Sequence, residues 1–181
     1  MGKYQLSFKK KKGGTFLLII AHSVREIRFR ELMCVYAEAN AENGHAEWPS
    51  LPLAFAREMA EQSFFQYLKE VFFPTPGAFY ALWEEDGHYV SALRMEPYRD
   101  GLLLAGLETA PEARRHGYAK QLIQGVLKIL AQGNHIPVYS HVHKKNLPSR
   151  NLHEKCGFRI CKDHAVYIDG SVSHRAFTYC C

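Results

Sequence analysis

The sequence predicts an α/β fold (α+β by strand order), a mixed, mostly antiparallel sheet of about seven strands flanked by about four helices. Three observations predict it. Segments of alternating apolar residues cluster between residues 78 and 109, a long amphipathic helix pattern follows them, and short strand and helix patterns fill 138–181. A chain of 181 residues fits one domain, 1–181.

The N-terminal part, 1–76, is predicted to contain a short strand pair and two helices. Four lysines at 9–12 and the two glycines after them indicate a solvated turn between two strands. Ser23 and Glu26 have the spacing of a capping box, which predicts the start of the first helix. Apolar residues at helical spacing predict a second helix from about Leu53 to Val71, and the prolines that follow end it.

Residues 78–109 predict an antiparallel meander of three strands. Ala78–Glu84 and His88–Glu96 flank an Asp-Gly pair, the commonest sequence for a tight hairpin turn. A second Asp-Gly pair precedes the third predicted strand, Leu102–Thr109.

Pro111–Gln132 has the clearest helical pattern of the chain. Its apolar residues recur in one continuous stripe, and Gly133 is a typical helix stop. Val138–His143 is then predicted as a strand and Pro148–Cys156 as a short helix. Two closing strands are predicted over 158–181, so that 78–158 is the core of the domain.

Composition excludes several classes of protein. A formal net charge of +5 suits an anionic ligand that contains a nucleotide, but is too small to indicate nucleic acid. The five cysteines form no C-x-x-C pair, so neither a disulfide framework nor a metal site is indicated. The longest apolar run, Phe16–Ala21, is far shorter than the ~20 residues of a membrane helix. We therefore expect a cytoplasmic protein with no metal, no nucleic-acid partner and no membrane partner.

The segment after Thr109 has the layout of a phosphate-binding site. A strand ends there, a basic loop with a glycine follows, and a long helix begins from that loop. Amides at a helix start point outward and the helix dipole favours negative charge there. Gly117 lets the backbone approach a pyrophosphate, and Arg114, Arg115 and Lys120 add positive charge. The plainer alternatives are surface arginines and an ordinary turn glycine.

Two motifs in this region resemble a known family. Arg114-x-x-Gly117-x-Ala119 resembles the [RQ]xxGx[GA] pyrophosphate loop of the GNAT acetyltransferases. Residues 146–158, with the pattern N-x-x-S-x-x-L-H-x-x-x-G-F, resemble their Nxx[AS]xxLYxxxGF element. The resemblance covers about 78–158 and implies a GNAT fold; residues 1–75, where the acceptor side usually lies, match only in the order of elements.

The resemblance implies an N-acetyltransferase with acetyl-CoA as co-substrate. Backbone around Leu107 and Thr109 would pair with the pantetheine arm as an added strand does. Asn146 and Ser149 would contact the cofactor from the opposite side, although Asn146 also suits a helix cap. Residues of the loop and the helix start would hold the pyrophosphate: Arg114, Arg115, His116, Gly117, Tyr118, Ala119 and Lys120.

The chemistry asks for a base and for a proton on the leaving thiolate. Glu108, on the strand that meets the thioester, is the first candidate for the base, and His141 on the neighbouring strand is the second. His153 stands where the family commonly has the tyrosine that protonates the thiolate; Tyr118, Tyr139 and water are alternatives. The structural alternatives are an ion-pair role for Glu108 and an ordinary exposed position for His153.

The predicted function is acetyl transfer to a primary amine, on a small molecule or a peptide N-terminus, by direct attack in a ternary complex. The alternative is a GNAT-fold module that binds acyl-CoA without catalysis. His141 and His143 share a strand face, but no third ligand stands at a spacing typical of metal sites. The closing strands offer a sheet edge through which a homodimer can form.

Overall fold

The computed structural model describes residues 4–9, 15–133 and 136–181. Its strands, in chain order, are β1 (Tyr4–Lys9), β2 (Thr15–Ala21), β3 (Phe79–Glu85), β4 (His88–Tyr98), β5 (Gly101–Thr109), β6 (Val138–His143), β7 (Arg159–Lys162), β8 (Ala165–Val166), β9 (Val172–Ser173) and β10 (Ala176–Cys180). Its α-helices are α1 (Phe29–Val35), α2 (Ala37–Glu47), α3 (Leu53–Tyr67), α4 (Tyr118–Leu130) and α5 (Leu147–Lys155). A π-helical turn, Leu68–Phe72, continues α3.

The predicted fold class is confirmed. The described strands form an eight-stranded sheet in the order β1-β2-β3-β4-β5-β6-β10-β7, and β8 pairs with β9 in a separate ribbon. Every pair in the large sheet is antiparallel except β5 with β6. The meander β3-β4-β5 forms as predicted, and β1 pairs with β2. The predicted turn at the lysines and glycines between them lies, apart from Lys9, outside the described residues.

The first helix does not begin at the predicted capping box. The Ser23 side chain makes no capping hydrogen bond, and Val24–Glu26 forms a short 3-10 turn instead. The Glu26 carboxylate accepts a hydrogen bond from the His22 amide at 2.9 Å, and α1 begins only at Phe29. Helix α2 was not predicted, because its mostly small and polar sequence lacks an apolar stripe.

The long helix also begins later than predicted. Pro111–Ala113 forms a 3-10 turn, and Arg115 and Gly117 have φ angles of 64° and 83°. An α-helix cannot continue through left-handed residues, so α4 begins at Tyr118. The delay places a loop of irregular backbone between β5 and the helix.

The C-terminal part contains more strands than the predicted closing pair. β7 and β10 join the large sheet, whereas β8 and β9 form a small ribbon between them in the chain. β1 and β7 are the edge strands of the large sheet. A homodimer through the closing strands stays a prediction.

The two faces of the sheet carry different helices. The face that bears Tyr80 and Arg94 is packed by the end of α3. We call it the acceptor face, because the resemblance implies that the acceptor side is formed by residues 1–75. The other face carries Leu18 and Trp83, against which Gly125 of α4 packs closely. Helix α4 is buried along its apolar stripe, as predicted. In the parts of the chain that the structure describes, no helix is both long and apolar enough to span a bilayer.

Gly101 fixes where β5 starts beside β6. A Cβ at this position would lie 2.0 Å from the carbonyl oxygen of Pro137, which accepts a hydrogen bond from the Leu102 amide at 3.0 Å. We expect Gly101→Ala to lower the free energy of unfolding by about 1–3 kcal/mol, because backbone must move to make room. Denaturant unfolding measures the change.

The control for this prediction is Gly133→Ala, whose added Cβ would have only an ordinary contact at 3.7 Å with the Leu130 carbonyl. We expect this control to unfold like the unmodified protein. Equal stability of the two variants would contradict the prediction.

Candidate active site

The parallel strands β5 and β6 pair only at their beginnings. Their register runs from Leu102–Val138 to Leu104–Ser140, and no further pair joins the two described strands. Beyond Leu104, β5 stays paired to β4 on its other side as far as Thr109. The edge of residues 105–109 that faces β6 is therefore open, and an extended ligand can pair with it as an added strand does.

A β-bulge at Gly106 lies where the two strands separate. Arg94 of β4 pairs with Ala105 and Ala92 pairs with Glu108, so β5 contains one extra residue. Gly106 has a φ of 57°, which glycine adopts without strain. Because paired residues share a face, the extra residue turns Glu108 onto the same face as Ala105 and Arg94. This is the acceptor face.

Two buried tyrosines hold the bulge. The Tyr36 hydroxyl donates a hydrogen bond to the Gly106 carbonyl, and the Tyr80 hydroxyl donates to Tyr36 at 2.7 Å. Burial raises the pKa of Tyr36 to about 12, so the hydroxyl keeps its proton and stays a donor. Sequence reasoning missed these residues, because a buried tyrosine resembles any other core aromatic in a single sequence.

Glu108 is a half-buried carboxyl in an acidic neighbourhood. Burial raises the pKa of Glu108 above its ordinary value; the nearby Arg114 opposes the shift, and the carboxylates of Glu38 and Glu42 add to it. Arg114 is itself bound to Glu38 at 2.6 Å, so part of its charge is already neutralised. A carboxyl with a raised pKa is a stronger proton acceptor than an ordinary one, as a general base requires.

The predicted phosphate loop is exposed and starts a helix of thirteen residues. Gly117 is the N-cap residue, and the first helical hydrogen bond runs from the Gln121 amide to its carbonyl at 3.1 Å. The amides of Tyr118, Ala119 and Lys120 therefore have no acceptor within the helix and point out of its start. Together with the helix dipole, they form an anion-binding end.

The loop side chains have separate roles. Arg114 turns back to α2 through Glu38, and its Nε donates to the Thr109 carbonyl at 3.3 Å, so it ties the loop to the end of β5. His116 stacks on Tyr118 with ring centroids 5.7 Å apart. Arg115 and Lys120 are exposed. The structure thus brings the predicted cationic residues together beside the helix start, with Arg114 partly neutralised.

On the other side of the gap that opens where β5 and β6 separate, α5 begins at its predicted cap. The Asn146 side chain accepts a hydrogen bond from the Ser149 amide at 3.1 Å, which is the capping role that the sequence left open. The Ser149 hydroxyl lies 3.4 Å from Nδ1 of His153. Contact of either residue with a cofactor stays a prediction.

His153 is buried, with 2% of the residue exposed, rather than an exposed helix residue or a side chain in the open gap. Its Nδ1 lies 2.8 Å from the Ser149 carbonyl, and its Nε2 lies 2.9 Å from the Ser140 hydroxyl. Burial lowers the pKa of His153, so the ring is neutral near pH 7. A neutral ring with both nitrogens occupied is a poor acid, and the structure does not favour His153 as the proton donor.

The other candidates for proton transfer are also engaged. His141 lies on the acceptor face, with Nε2 3.0 Å from the Val166 carbonyl and Nδ1 3.1 Å from the Thr178 hydroxyl. Burial lowers its pKa. The Tyr118 hydroxyl donates to Glu85, and the Tyr139 hydroxyl donates to Asp100 at 2.8 Å. Of the predicted residues, Glu108 alone is a carboxyl on the acceptor face beside the gap.

A cavity of about 730 Å³ opens on the acceptor face. β4, β5, β6, the end of α3 and the β8–β9 ribbon all contribute to its walls, and Gly106 is the last β5 residue along it. Glu108 follows two positions further along the strand. Among the residues that the structure describes, no three His, Cys, Asp or Glu side chains lie together as a metal site requires.

Comparison with known proteins identifies the family. The sequence model of the Acetyltransferase (GNAT) family matches residues 40–158, which is more than half of the chain. The protein therefore belongs to the GNAT acetyltransferase family, as the two motifs predicted. A comparison with curated proteins gives no significant match.

Solved structures share the fold across nearly the whole chain. The PaiA N-acetyltransferase from Thermoplasma acidophilum, in complex with coenzyme A, superposes with a TM-score of 0.61 at 12% identity, covering 90% of this chain and 97% of that one. A putative GNAT-family acetyltransferase from Bordetella pertussis gives 0.58 at 16% identity, covering 97% and 98%. A GNAT acetyltransferase from Bacillus anthracis gives 0.55 at 16% identity, covering 91% and 93%. At these identities the likeness shows the fold.

The buried His153 predicts an acid-sensitive stability. Because its folded pKa is lowered, the unfolded chain takes up a proton that the folded chain refuses, and stability falls as pH drops below ~6.5. His153→Gln should flatten this slope in part, since His141 adds to it in the same direction. Urea unfolding between pH 5 and 7.5 measures it; the control is His143→Gln, an exposed residue of β6. A slope unchanged by His153→Gln would contradict the burial.

Gly117 predicts a specific loss of coenzyme A binding. A valine at a φ of 83° is strained, and relief of the strain would turn the first amides of α4. We expect Gly117→Val to weaken coenzyme A at least about tenfold in calorimetric titration, since several charge-assisted hydrogen bonds depend on these amides. The matched control is Gly87→Val, with a φ of 87° in the β3–β4 turn and open space around it. Equal loss in both variants would contradict a local role for the loop.

Proposed function

We propose that the protein is an acetyl-CoA-dependent N-acetyltransferase that acts on the primary amine of a small molecule. The observation that carries this proposal is Glu108, a carboxyl with a raised pKa that the Gly106 bulge turns onto the acceptor face. It lies on the open part of β5, two positions beyond Gly106, the last β5 residue that lines the cavity. The position suits a base that receives the proton of an amine attacking from the acceptor face.

The residues present fit acetyl-CoA as co-substrate. Gly117 has no Cβ at the start of α4, and the first amides of that helix suit a pyrophosphate. The open edge of Leu107 and Thr109 suits the amide groups of the pantetheine arm. Asn146 and Ser149 stand at the start of α5, across the gap. The bound co-substrate supplies a thioester carbonyl as the electrophile.

The chain's own groups account for the proton transfers on the amine. An alkyl amine of pKa near ~10 is about one thousandth neutral at pH 7, and only the neutral form attacks. Glu108 takes the proton as the nitrogen forms a bond to the carbonyl carbon and the carbon–sulfur bond breaks. The products are an N-acetyl amide and coenzyme A, whose sulfur leaves as a thiolate and takes a proton from solvent. His153, Tyr118 and Tyr139 have no part in this step.

Direct attack on the thioester is favoured over an acetyl-cysteine route. Cys156 is the cysteine that lies within the family motif of residues 146–158, but it is buried. Burial raises the pKa of its thiol, which makes a thiolate nucleophile scarce at neutral pH. The amine therefore reacts in a ternary complex.

A second candidate function is acyl-CoA binding without catalysis. The buried His153 favours it, because it replaces the tyrosine that the family motif commonly places beside the sulfur. This candidate predicts coenzyme A binding without amine-dependent release of thiol, under any choice of amine.

Glu108→Gln tests the catalytic proposal. Without the base, kcat should fall by about 10²–10⁴-fold, while coenzyme A binding is retained. In the unmodified protein kcat should fall on the acidic side as Glu108 takes up a proton, at a pH above the ordinary glutamate value. The Glu108→Gln variant should lack this acidic limb of the pH profile of kcat. An active Glu108→Gln protein with an unchanged pH profile would contradict the role of Glu108.

Glu42→Gln gives a finer test. Its carboxylate helps to raise the pKa of Glu108, so its removal should shift the acidic limb to lower pH. Glu47→Gln, an exposed residue at the end of the same helix, is the control and should leave the limb in place. Stopped assays of thiol release across pH 4–8 compare the unmodified protein with the Glu42→Gln and Glu47→Gln variants.

A further inference from the structure

Arg94 is a charged side chain in the wall of the cavity that the proposed chemistry does not use. It lies on β4, between Tyr80 of β3 and Ala105 of β5, and its side chain is 20% exposed. A Cβ at Gly106 would lie 3.3 Å from its Nε and 3.5 Å from its Nη2. The guanidinium therefore stands over the bulge where β5 separates from β6.

Three aromatic rings hold this guanidinium in place. Its central carbon lies 5.5 Å from the ring centroid of Phe64, 5.2 Å from that of Tyr67 and 5.9 Å from that of Phe72. Contacts with ring faces stabilise a cation but accept none of its N–H bonds. The rings fix the position of the arginine and leave its donors available.

The hydrogen-bonding capacity of Arg94 is unfilled. Its Nε is buried and, among the described residues, has no hydrogen-bond partner. Oε1 of Glu96 lies 3.4 Å from this Nε and forms an ion pair with it, at a distance beyond the ~2.7–2.9 Å of a charge-assisted hydrogen bond. The guanidinium has five donors, and leaving the buried one on Nε without an acceptor is costly. The arrangement suits a ligand that brings acceptor oxygens.

The other charges in the cavity wall are already engaged. Oε2 of Glu96 accepts a hydrogen bond from the Tyr67 hydroxyl at 3.3 Å. Oδ1 of Asp169 accepts from the Ser171 amide at 2.9 Å and from its hydroxyl at 2.7 Å, which closes the turn of the β8–β9 ribbon. Arg94 is paired only through its long ion pair with Glu96, and its buried Nε has no hydrogen bond to the described residues.

We propose that Arg94 binds a carboxylate of the acceptor, and that the acceptor is an amino acid with an apolar side chain. This inference rests on the proposed function and names its substrate class. A carboxylate matches the planar fork of a guanidinium. A phosphate dianion suits the site less well, because Glu96 would repel its two charges more strongly than the single charge of a carboxylate. Apolar residues of the wall, Val71, Phe72 and Ile168, face the rest of the cavity.

The position of Arg94 brings the amine to the reacting end. Ala105 pairs directly with Arg94, and Glu108 lies one bulge further along β5. Arg94 and Ala92 are two residues apart on β4, so they are separated by about 7 Å. This distance is similar to that between a group that binds the carboxylate of an amino acid and a group that binds its amine. A cavity of about 730 Å³ is also of the size that encloses a small molecule.

Matched pairs of acceptors test the inference. L-leucine, L-methionine and L-phenylalanine are compared with their carboxamides in an assay of acetyl-CoA-dependent thiol release. Loss of a charged hydrogen-bonding partner in a buried site should lower kcat/KM for the amides at least about tenfold. The amides have less basic amines, so amine reactivity alone would favour them. Calorimetric titration of each compound into the protein saturated with coenzyme A gives a second readout that needs no turnover.

Two variants separate recognition from folding. Arg94→Gln and Arg94→Met should lower kcat/KM for the acids about tenfold or more and change that for the amides by no more than about twofold. Arg57→Gln, which removes an arginine ion-paired to Glu61 on α3, is the control and should keep the acid preference. Thermal unfolding and coenzyme A affinity show whether each variant is folded.

Three results would overturn the inference. They are equal use of acids and amides by the unmodified protein, an acid preference that survives in both Arg94 variants, and an absence of amino-acid binding to the coenzyme A complex. Failure of the proposed function would give a different result. Coenzyme A would bind, but no amine, with or without a carboxylate, would cause release of thiol.

Discussion

The hydrogen bond from Tyr36 to the carbonyl of Gly106 is the interaction on which the site depends. It holds the bulge of β5 at the point where β5 and β6 separate. The bulge turns Glu108 onto the acceptor face and brings the backbone of β5 beneath Arg94. Without the extra residue, Glu108 would point to the opposite face, because successive strand residues alternate.

The two halves of the site are joined by an ion pair. Arg114 belongs to the phosphate loop, yet its guanidinium binds Glu38 of α2 and its Nε binds the last carbonyl of β5. The same helix contributes Glu42, whose charge helps to raise the pKa of Glu108. The proposed donor site and the proposed base therefore share one electrostatic environment, in which the helix of the acceptor side and the loop of the donor side both take part.

Much of the fold could be predicted from the sequence, and the reasons are local. The β3–β5 meander followed from strand alternation and Asp-Gly turns, and the phosphate loop from its glycine and cations. The face of the sheet on which the Glu108 side chain lies could not be predicted, because one bulge residue reverses the alternation. A glycine at position 106 is not enough to predict a bulge. The burial of His153 depends on Ser140, which a single sequence does not pair with it. Arg94 was overlooked because a charge in a strand is usually a solvated one.

Backbone hydrogen exchange with and without acetyl-CoA tests the central claim, that the open edge of β5 and the start of α4 bind the acyl donor. The account predicts slower exchange at the amides of residues 105–109 and 115–120 when acetyl-CoA is present. Amides of β2, which lies away from the gap, should be unchanged. Binding of acetyl-CoA that left the exchange of both segments unaltered would contradict the account.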